Sequence, residues 1–587
     1  MADRTLADAF ALLQSGRAAE ALAVIEHIEA TLPPQPRVAL ARGLALRALG
    51  REPESRAAFE AGARAAPLDY ALAYELGVAC ERAGDDAAAL AHFERAGVLR
   101  AAFPAARFAA GVHRFRRREW AQAIAHFRAV VDSDARNVDA LVNLGLALAE
   151  SGRAREAEQA LERALNTQPG SAEVRHALGW ALHRAGRATD ALPHLEAAAG
   201  ADARAEWLVD LGKALADARR ADEATRVFER ALARDPKNVS TLRTYGQWSV
   251  ARGEFNRAAR LFERALAQAP GDSALPMYLA QVELLRSRWD HAWELYAHRE
   301  PRALFEQRAQ AMGGEYRVPT LRMLYGRTAA LVAEQGLGDI LFFLRFAAPL
   351  REGGATLVFA GEPRLHPLIG RTGLVDRLED AFDFEPGVTP VLLGDLPSIG
   401  DFRVRPTLRV TPDAQRLERL RDMLERLGPR PWTGVTWRAG TPADVVAHGL
   451  YKTVPAERLA ELLRPLGGTV FALQRGMREG ELAAASAALG RPVHDLAAFN
   501  EDPEDALALM ALLDRYIGVS NTNMHLAVAC GAVADVMVPF PPEWRWSLAG
   551  DSPWFPGFRV HRQLADGDWG GAFASLAASL QGASPRP

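Results

Sequence analysis

The chain has 587 residues, 49 % hydrophobic and 24 % charged, and 70 Lys plus Arg against 73 Asp plus Glu leave a net charge of −3. That composition belongs to a globular protein with ample material for a core; it excludes an intrinsically disordered chain and offers no basic excess to neutralise nucleic-acid phosphates. The only cysteines, Cys80 and Cys530, exclude a disulfide framework or a Cys-rich metal module and suit a reducing compartment. The opening MADRTLADAF has no basic segment leading into an apolar run, so no signal peptide is expected. No apolar stretch approaches the ~20 residues of a membrane span; the best candidate, Leu341–Leu350, contains Arg345 and Pro349. The expected address is the cytoplasm.

The first 300 residues repeat. A small residue recurs at Ala21, Ser55, Ala89, Ala123, Ala157, Ala191, Ala224, Ala258 and Ala292, in steps of 34 residues with one step of 33. Twelve residues before each lies another: Ala9, Gly43, Gly77, Gly111, Gly145, Gly179, Gly212, Gly246 and Ala280. Twelve residues after several of them lies a proline: Pro33, Pro67, Pro169, Pro236 and Pro270. Small residues let two helices cross closely, and the proline ends the second helix before the next pair begins. This is the logic of tetratricopeptide (TPR) hairpins, which bury their apolar faces only by stacking into a solenoid with a concave surface. Such a surface takes a peptide or protein, or else spaces and dimerises the rest of the chain. Arg114, Arg116, Arg117 and Arg118 read as a solvated turn.

Residues 300–327, after Trp293, Tyr296 and Arg299, read as a helical connector out of the array at 1–299. From Thr328 short aliphatic runs alternate with amphipathic helical ones, which predicts parallel sheets covered by helices on both faces. Two such series are expected, 328–428 and 429–587, parted by a polar helix over Asp413–Leu427 and the turn at 428–432. Two doubly wound domains facing each other bind ligands at the carboxyl ends of their strands. The last segment, Trp569–Leu580, reads as an amphipathic helix crossing back to the first series.

Three constellations sit at strand ends. In Ala333-Glu-Gln-Gly-Leu-Gly-Asp339, Gly336 and Gly338 permit close backbone approach before an apolar helix. Asp339 is placed either to accept a proton from an attacking hydroxyl or simply to cap the helix. In Thr436-Trp-Arg-Ala-Gly-Thr441, Gly440 leaves room for a ligand beside Trp437; Arg438, with Lys452 downstream, can neutralise an anionic leaving group. In Ser520-Asn-Thr-Asn-Met-His525, the side chains of Ser520, Asn521, Thr522 and Asn523 gather donors at a helix start suited to an anion. His525 contacts a phosphate or base, or is a core histidine. Gln474, at the end of the strand Thr469–Leu473, can read a base edge. The segments Phe540–Trp546 and Ser552–Pro556 line the cleft or cover a sheet edge. H-E-x-x-H, C-x-x-C, the Walker loop and the G-x-S-x-G elbow do not occur, so no metal or cofactor is expected.

AEQGLGD, GVTWRAG with its downstream lysine, FALQRG, SNTNMHLAVACGA, PPEWRW and DSPWFP together resemble the bacterial TPR proteins with a C-terminal glycosyltransferase domain of the GT-B fold. Relatives of that group are the heptosyltransferases and the O-GlcNAc transferases, with TPR-type flagellin glycosyltransferases the nearest analogues. The resemblance implies an α-solenoid followed by two Rossmann-like halves facing a cleft, the first on the acceptor side, the second holding the donor. It implies Asp339, after Gly338, as the catalytic base, Lys452 on the donor diphosphate, and Ser520–His525 as the diphosphate loop, with Ser520 where relatives carry Asp. The expected activity is inverting, metal-independent transfer from a nucleotide sugar to a protein hydroxyl recruited by the TPR array, with flagellin the first acceptor considered. The alternatives are a non-catalytic TPR adaptor with a degenerate transferase fold and a sugar-nucleotide epimerase.

Overall fold

A computed structural model describes residues 5–32, 35–200, 203–399, 406–439, 452–564 and 567–582. The chain divides into two compact units, Met1–Pro236 and Lys237–Pro587.

Among the described residues nine helical pairs follow the period, from Leu6–Gln14 with Ala18–Thr31 to Leu275–Leu285 with Trp289–Tyr296. Their common contact explains the glycines. Gly43, Gly77, Gly111, Gly212 and Gly246 each lie under a phenylalanine sixteen residues on: Phe59, Phe93, Phe127, Phe228 and Phe262. A Cβ on any of these glycines would fall 2.2–2.7 Å from a ring atom, so the small residue is the space the ring fills. The small residues of the second helices, Ala21 to Ala292, are fully buried, and Ser55 Oγ donates to the Gly43 carbonyl at 2.7 Å. Pro67, Pro169, Pro236 and Pro270 each fall two residues beyond the end of a second helix; Pro33 lies outside the described residues. The turn inside each pair needs one left-handed residue. Glycine supplies it at Gly50, Gly84 and Gly152, whereas Arg118 (φ 60°), Arg219 and Ser287 adopt it with side chains. Arg118 is therefore a turn residue, and Arg114 of the same cluster is paired with Glu94 and Glu119.

The last two pairs fall in the second unit, and their final helix, Trp289–Tyr296, sends aromatic residues into its core. Trp289 lies 5.5 Å from Trp554 and Trp293 5.7 Å from Trp544, ring centre to ring centre. The connector holds the helices Glu300–Ala311 and Leu321–Leu324. The first parallel sheet has the order β3-β2-β1-β4, with β1 Thr328–Val332, β2 Thr356–Ala360, β3 Arg377–Glu379 and β4 Val388–Leu392. After the helix Ala414–Leu427, the chain enters β5 Trp432–Val435 and the short antiparallel pair β6 Arg438–Ala439 and β7 Lys452–Thr453. The second sheet is completed by β8 Thr469–Ala472, β9 Val493–Asp495, β10 Arg515–Val519, β11 Ala534–Val538 and β12 Arg559–Arg562. It is parallel, in the order β12-β11-β10-β5-β8-β9. Strand order turns back on itself beside the first strand of each sheet, which is where doubly wound folds open a ligand crevice.

One expectation fails here. The final helix, Gly570–Gly582, does not cross back to the first sheet. Phe573, Leu576 and Leu580, with Trp569 before them, pack with Val435, Val470, Ile517 and Met537 of the second sheet. An amphipathic helix buries its stripe on the nearest uncovered apolar face, and that face belongs to the sheet whose last strand leads into it.

Candidate functional site

The loop after β1 ends in the helix Leu337–Leu344, whose N-cap is Gly336. Asp339 is not the cap; it lies in the first turn, and its carboxylate is ion-paired with Arg545. Gly338 lies against the His525 ring, where a Cβ would come within 3.1 Å of Cδ2. This glycine therefore lets a helix start from the first sheet approach the histidine of the second.

On the second sheet, β10 delivers Ser520 and the helix Thr522–Ala529. Asn521 caps that helix: its Oδ1 accepts from the Asn523 amide at 3.0 Å, and its Nδ2 donates to Thr436 Oγ1 at 3.0 Å. Asn523 Nδ2 donates to Asn500 Oδ1 at 3.0 Å, and Thr522 is exposed. His525 is buried, edge-on to Phe555 at 5.1 Å, with no partner on Nδ1. Burial first, then the nearby Arg545 and Arg345, push its pKa well below the ordinary imidazole value, so it is neutral at pH 7.

The two parts meet through a loop that the sequence marked only as aromatic and proline-rich. Glu543 accepts from Lys452 Nζ at 2.7 Å and Ser520 Oγ at 2.9 Å on Oε2, and from Arg545 Nη1 of its own loop at 2.7 Å on Oε1. Burial alone would raise the Glu543 pKa, but Lys452 and Arg545 outweigh it and hold the group well below the carboxylate range. Arg545 lies over the rings of Phe342 (4.6 Å) and Trp544 (4.9 Å). The result is a chain of alternating charge, Asp339, Arg545, Glu543, Lys452, running from the first sheet's helix to the strand pair of the second. Arg345, on the same helix side, donates to the carbonyls of Phe342 and Trp554, both at 3.0 Å. Its pKa is pushed down to about 9 by burial and then by Arg545, which still leaves it charged at pH 7.

Arg438 and Gln474 have other work. Arg438 is paired with Glu481 at 2.7 Å, and Trp437 beside it is buried. Gln474 Oε1 accepts from the amides of Trp437 and Arg438 at 3.0 and 2.8 Å, and Nε2 donates to the Arg475 carbonyl. Its amide group braces the turn after β5. Gly440 and Thr441 lie outside the described residues. A second buried cluster was not foreseen. Glu334 accepts from Arg299 Nη2 at 2.7 Å and from the Gly394 amide at 2.9 Å, and Arg299 Nη1 donates to Asp395 at 2.7 Å. Tyr316 donates to the other oxygen of Asp395 at 2.7 Å. This pins the connector to the carboxyl ends of β1 and β4. Among the described residues no group of three or more His, Cys, Asp or Glu side chains is placed to hold a metal ion, and no helix is long and apolar enough to cross a membrane.

Against this geometry, residues 40–106, 115–181, 176–239 and 250–299 match the tetratricopeptide repeat family. The first 300 residues form a TPR solenoid. The chain is similar to Protein FlbA of Caulobacter vibrioides, 27 % identical over 450 residues that span 70 % of this chain and 73 % of that protein. Solved structures similar to it include MamA, at 22 % identity and TM-score 0.26, over 27 % of this chain and 91 % of that one. Another is Pseudomonas aeruginosa pilF, at 18 % identity and TM-score 0.30, over 36 % of this chain and 97 % of that one. TPR repeats point to protein–protein interaction.

Proposed function

We propose that the chain is a protein glycosyltransferase of GT-B type, in which the TPR solenoid recruits a polypeptide and the two parallel sheets carry out inverting transfer from a nucleotide sugar. The observation that carries this reading is the meeting of Asp339, at the carboxyl end of the first sheet, with a cation–hydroxyl group, Lys452, Arg545 and Ser520, at the carboxyl end of the second. Transfer needs those two chemistries side by side. Asp339 takes the proton of the acceptor hydroxyl as its oxygen attacks the anomeric carbon, worth about 10²–10⁴-fold in rate. As the bond from that carbon to the diphosphate oxygen breaks, Lys452, Arg545 and the amides at the start of Thr522–Ala529 receive the negative charge that develops. Arg545 also orients the base. His525, neutral and packed on Gly338, holds the two helix starts at a fixed approach.

Calorimetry of the full chain with a panel of nucleotide sugars tests the donor half of this reading. One of them should bind, and Lys452→Ala should abolish that binding while the solenoid stays folded. Binding by none of the panel favours the second reading, a TPR adaptor without catalysis. One observation supports that alternative: Asp339 and Lys452 are both already engaged, by Arg545 and Glu543.

A further inference from the structure

The loop carboxylate at the centre of the site has a role that an anion-binding site does not ordinarily need. Glu543 receives Lys452 Nζ and Ser520 Oγ from two distant segments and Arg545 Nη1 from its own loop, beside the start of the helix Thr522–Ala529. That is the donor set a phosphate group takes, and here a monoanion of the protein is seated in it. The charges agree. With the buried Arg345 counted, Lys452, Arg545 and Arg345 stand against Glu543 and Asp339, so a diphosphate entering the intact cluster meets a surplus of one positive charge. With Glu543 withdrawn, Lys452, Arg545 and the buried Arg345 stand against Asp339 alone. The surplus is then two positive charges, the charge needed by a diphosphate diester. Two buried groups at the cluster are also unsatisfied, Arg545 Nε and His525 Nδ1, so it has hydrogen-bonding capacity beyond what Glu543 uses. Glu543 itself stands on the loop between β11 and β12, outside any strand or helix, so its withdrawal breaks no ladder.

We propose that Glu543 is a displaceable internal anion, occupying the phosphate seat in the free protein and releasing Lys452 and Ser520 to the diphosphate of the incoming donor. This rests on the donor-site reading above and adds to it a determinant of specificity. Only a ligand that brings more negative charge than one carboxylate gains by the exchange, which favours nucleoside diphosphates over neutral sugars or monocarboxylates.

The test titrates inorganic pyrophosphate, then UDP and GDP, into the full chain as wild type, Glu543→Gln and Lys452→Ala, with thermal melts of each. The Gln variant should bind pyrophosphate about tenfold tighter than wild type, the value of one charge-assisted contact no longer contested. Its melting temperature, lowered in plain buffer because Lys452 loses its charged partner, should recover on adding pyrophosphate by more than the wild-type shift. Glu543→Asp, which keeps the charge but draws it back by one methylene, should lie between the two and serves if the Gln variant does not fold. If wild type binds, Lys452→Ala abolishes binding and Glu543→Gln binds equally or more weakly, the donor site stands and the internal anion falls. If neither wild type nor Glu543→Gln binds any of the three probes, both readings fall.

Discussion

The solenoid and the α/β part of the second unit are built by opposite means. In the solenoid one contact is made over and over at short sequence separation. A glycine meets a ring sixteen residues on, and a side chain meets its counterpart one repeat on, as in His176 with Asp210 at 3.0 Å and His183 with Asp217 at 2.7 Å, both 34 residues apart. In the α/β part the central contacts are each made once and at long range. Lys452 and Glu543 are 91 residues apart, Asp339 and Arg545 206. The lesson is one of redundancy. A defect in the solenoid is confined to neighbouring repeats, whereas a defect in the charge chain disturbs both sheets, because one arginine touches both.

Four substitutions or conditions test that contrast. The largest effect on stability is expected from Phe127→Ala, which empties the fully buried space over Gly111 and should cost about 3–5 kcal/mol. Hydrogen exchange should report it as lost protection in the hairpins on either side, with amides of β5, β8 and β10 unchanged; a global loss would contradict the one-dimensional account. Arg545→Met comes next, at about 3 kcal/mol, because Glu543 is left buried with one partner fewer. Here protection should fall on both sheets together. Acid is expected to act on the same group. Burial opposes ionisation of Glu543, but Lys452 and Arg545 prevail and depress its folded pKa. Its contribution is therefore complete above the unfolded carboxylate value of about 4.3 and is lost as pH falls below it. A urea-midpoint series from pH 6 to 3 should fall more steeply for wild type than for Glu543→Gln; parallel curves would remove the ion-pair argument. The smallest effect is a gain. Arg118→Gly relieves a left-handed turn (φ 60°) and should stabilise the protein by about 1 kcal/mol, seen as a raised urea midpoint.

The same contrast explains what was legible in the sequence. Every element of the solenoid that depends on spacing could be read from it: the crossing residues, the prolines and the nine pairs. The strands of the α/β part could be read as aliphatic runs, and the loops carrying Asp339, Lys452 and Ser520 as strand-end constellations. What those side chains touch could not. Glu543 and Arg545 lie in a segment whose prolines and tryptophans drew the eye to packing, and nothing in local pattern says that a glutamate will reach a lysine 91 residues earlier. Gln474 reads as a polar group at a strand end, and only the fold shows that the Trp437 and Arg438 amides use its oxygen. The final helix shows the same limit, because its apolar stripe is visible while the face that receives it is decided by chain direction out of β12.

Asp339 and the Lys452 cluster are proposed to form one transferase site fed by the solenoid. Intact-mass analysis of a co-expressed acceptor, flagellin first, with the wild-type chain or with Asp339→Asn, tests it most directly. Wild type should add whole glycosyl increments to the acceptor, and the Asn variant should leave its mass unchanged while still co-purifying with it. An acceptor modified equally by both would contradict the assignment of Asp339, and a panel of acceptors left unmodified by the wild type would contradict the transferase reading itself.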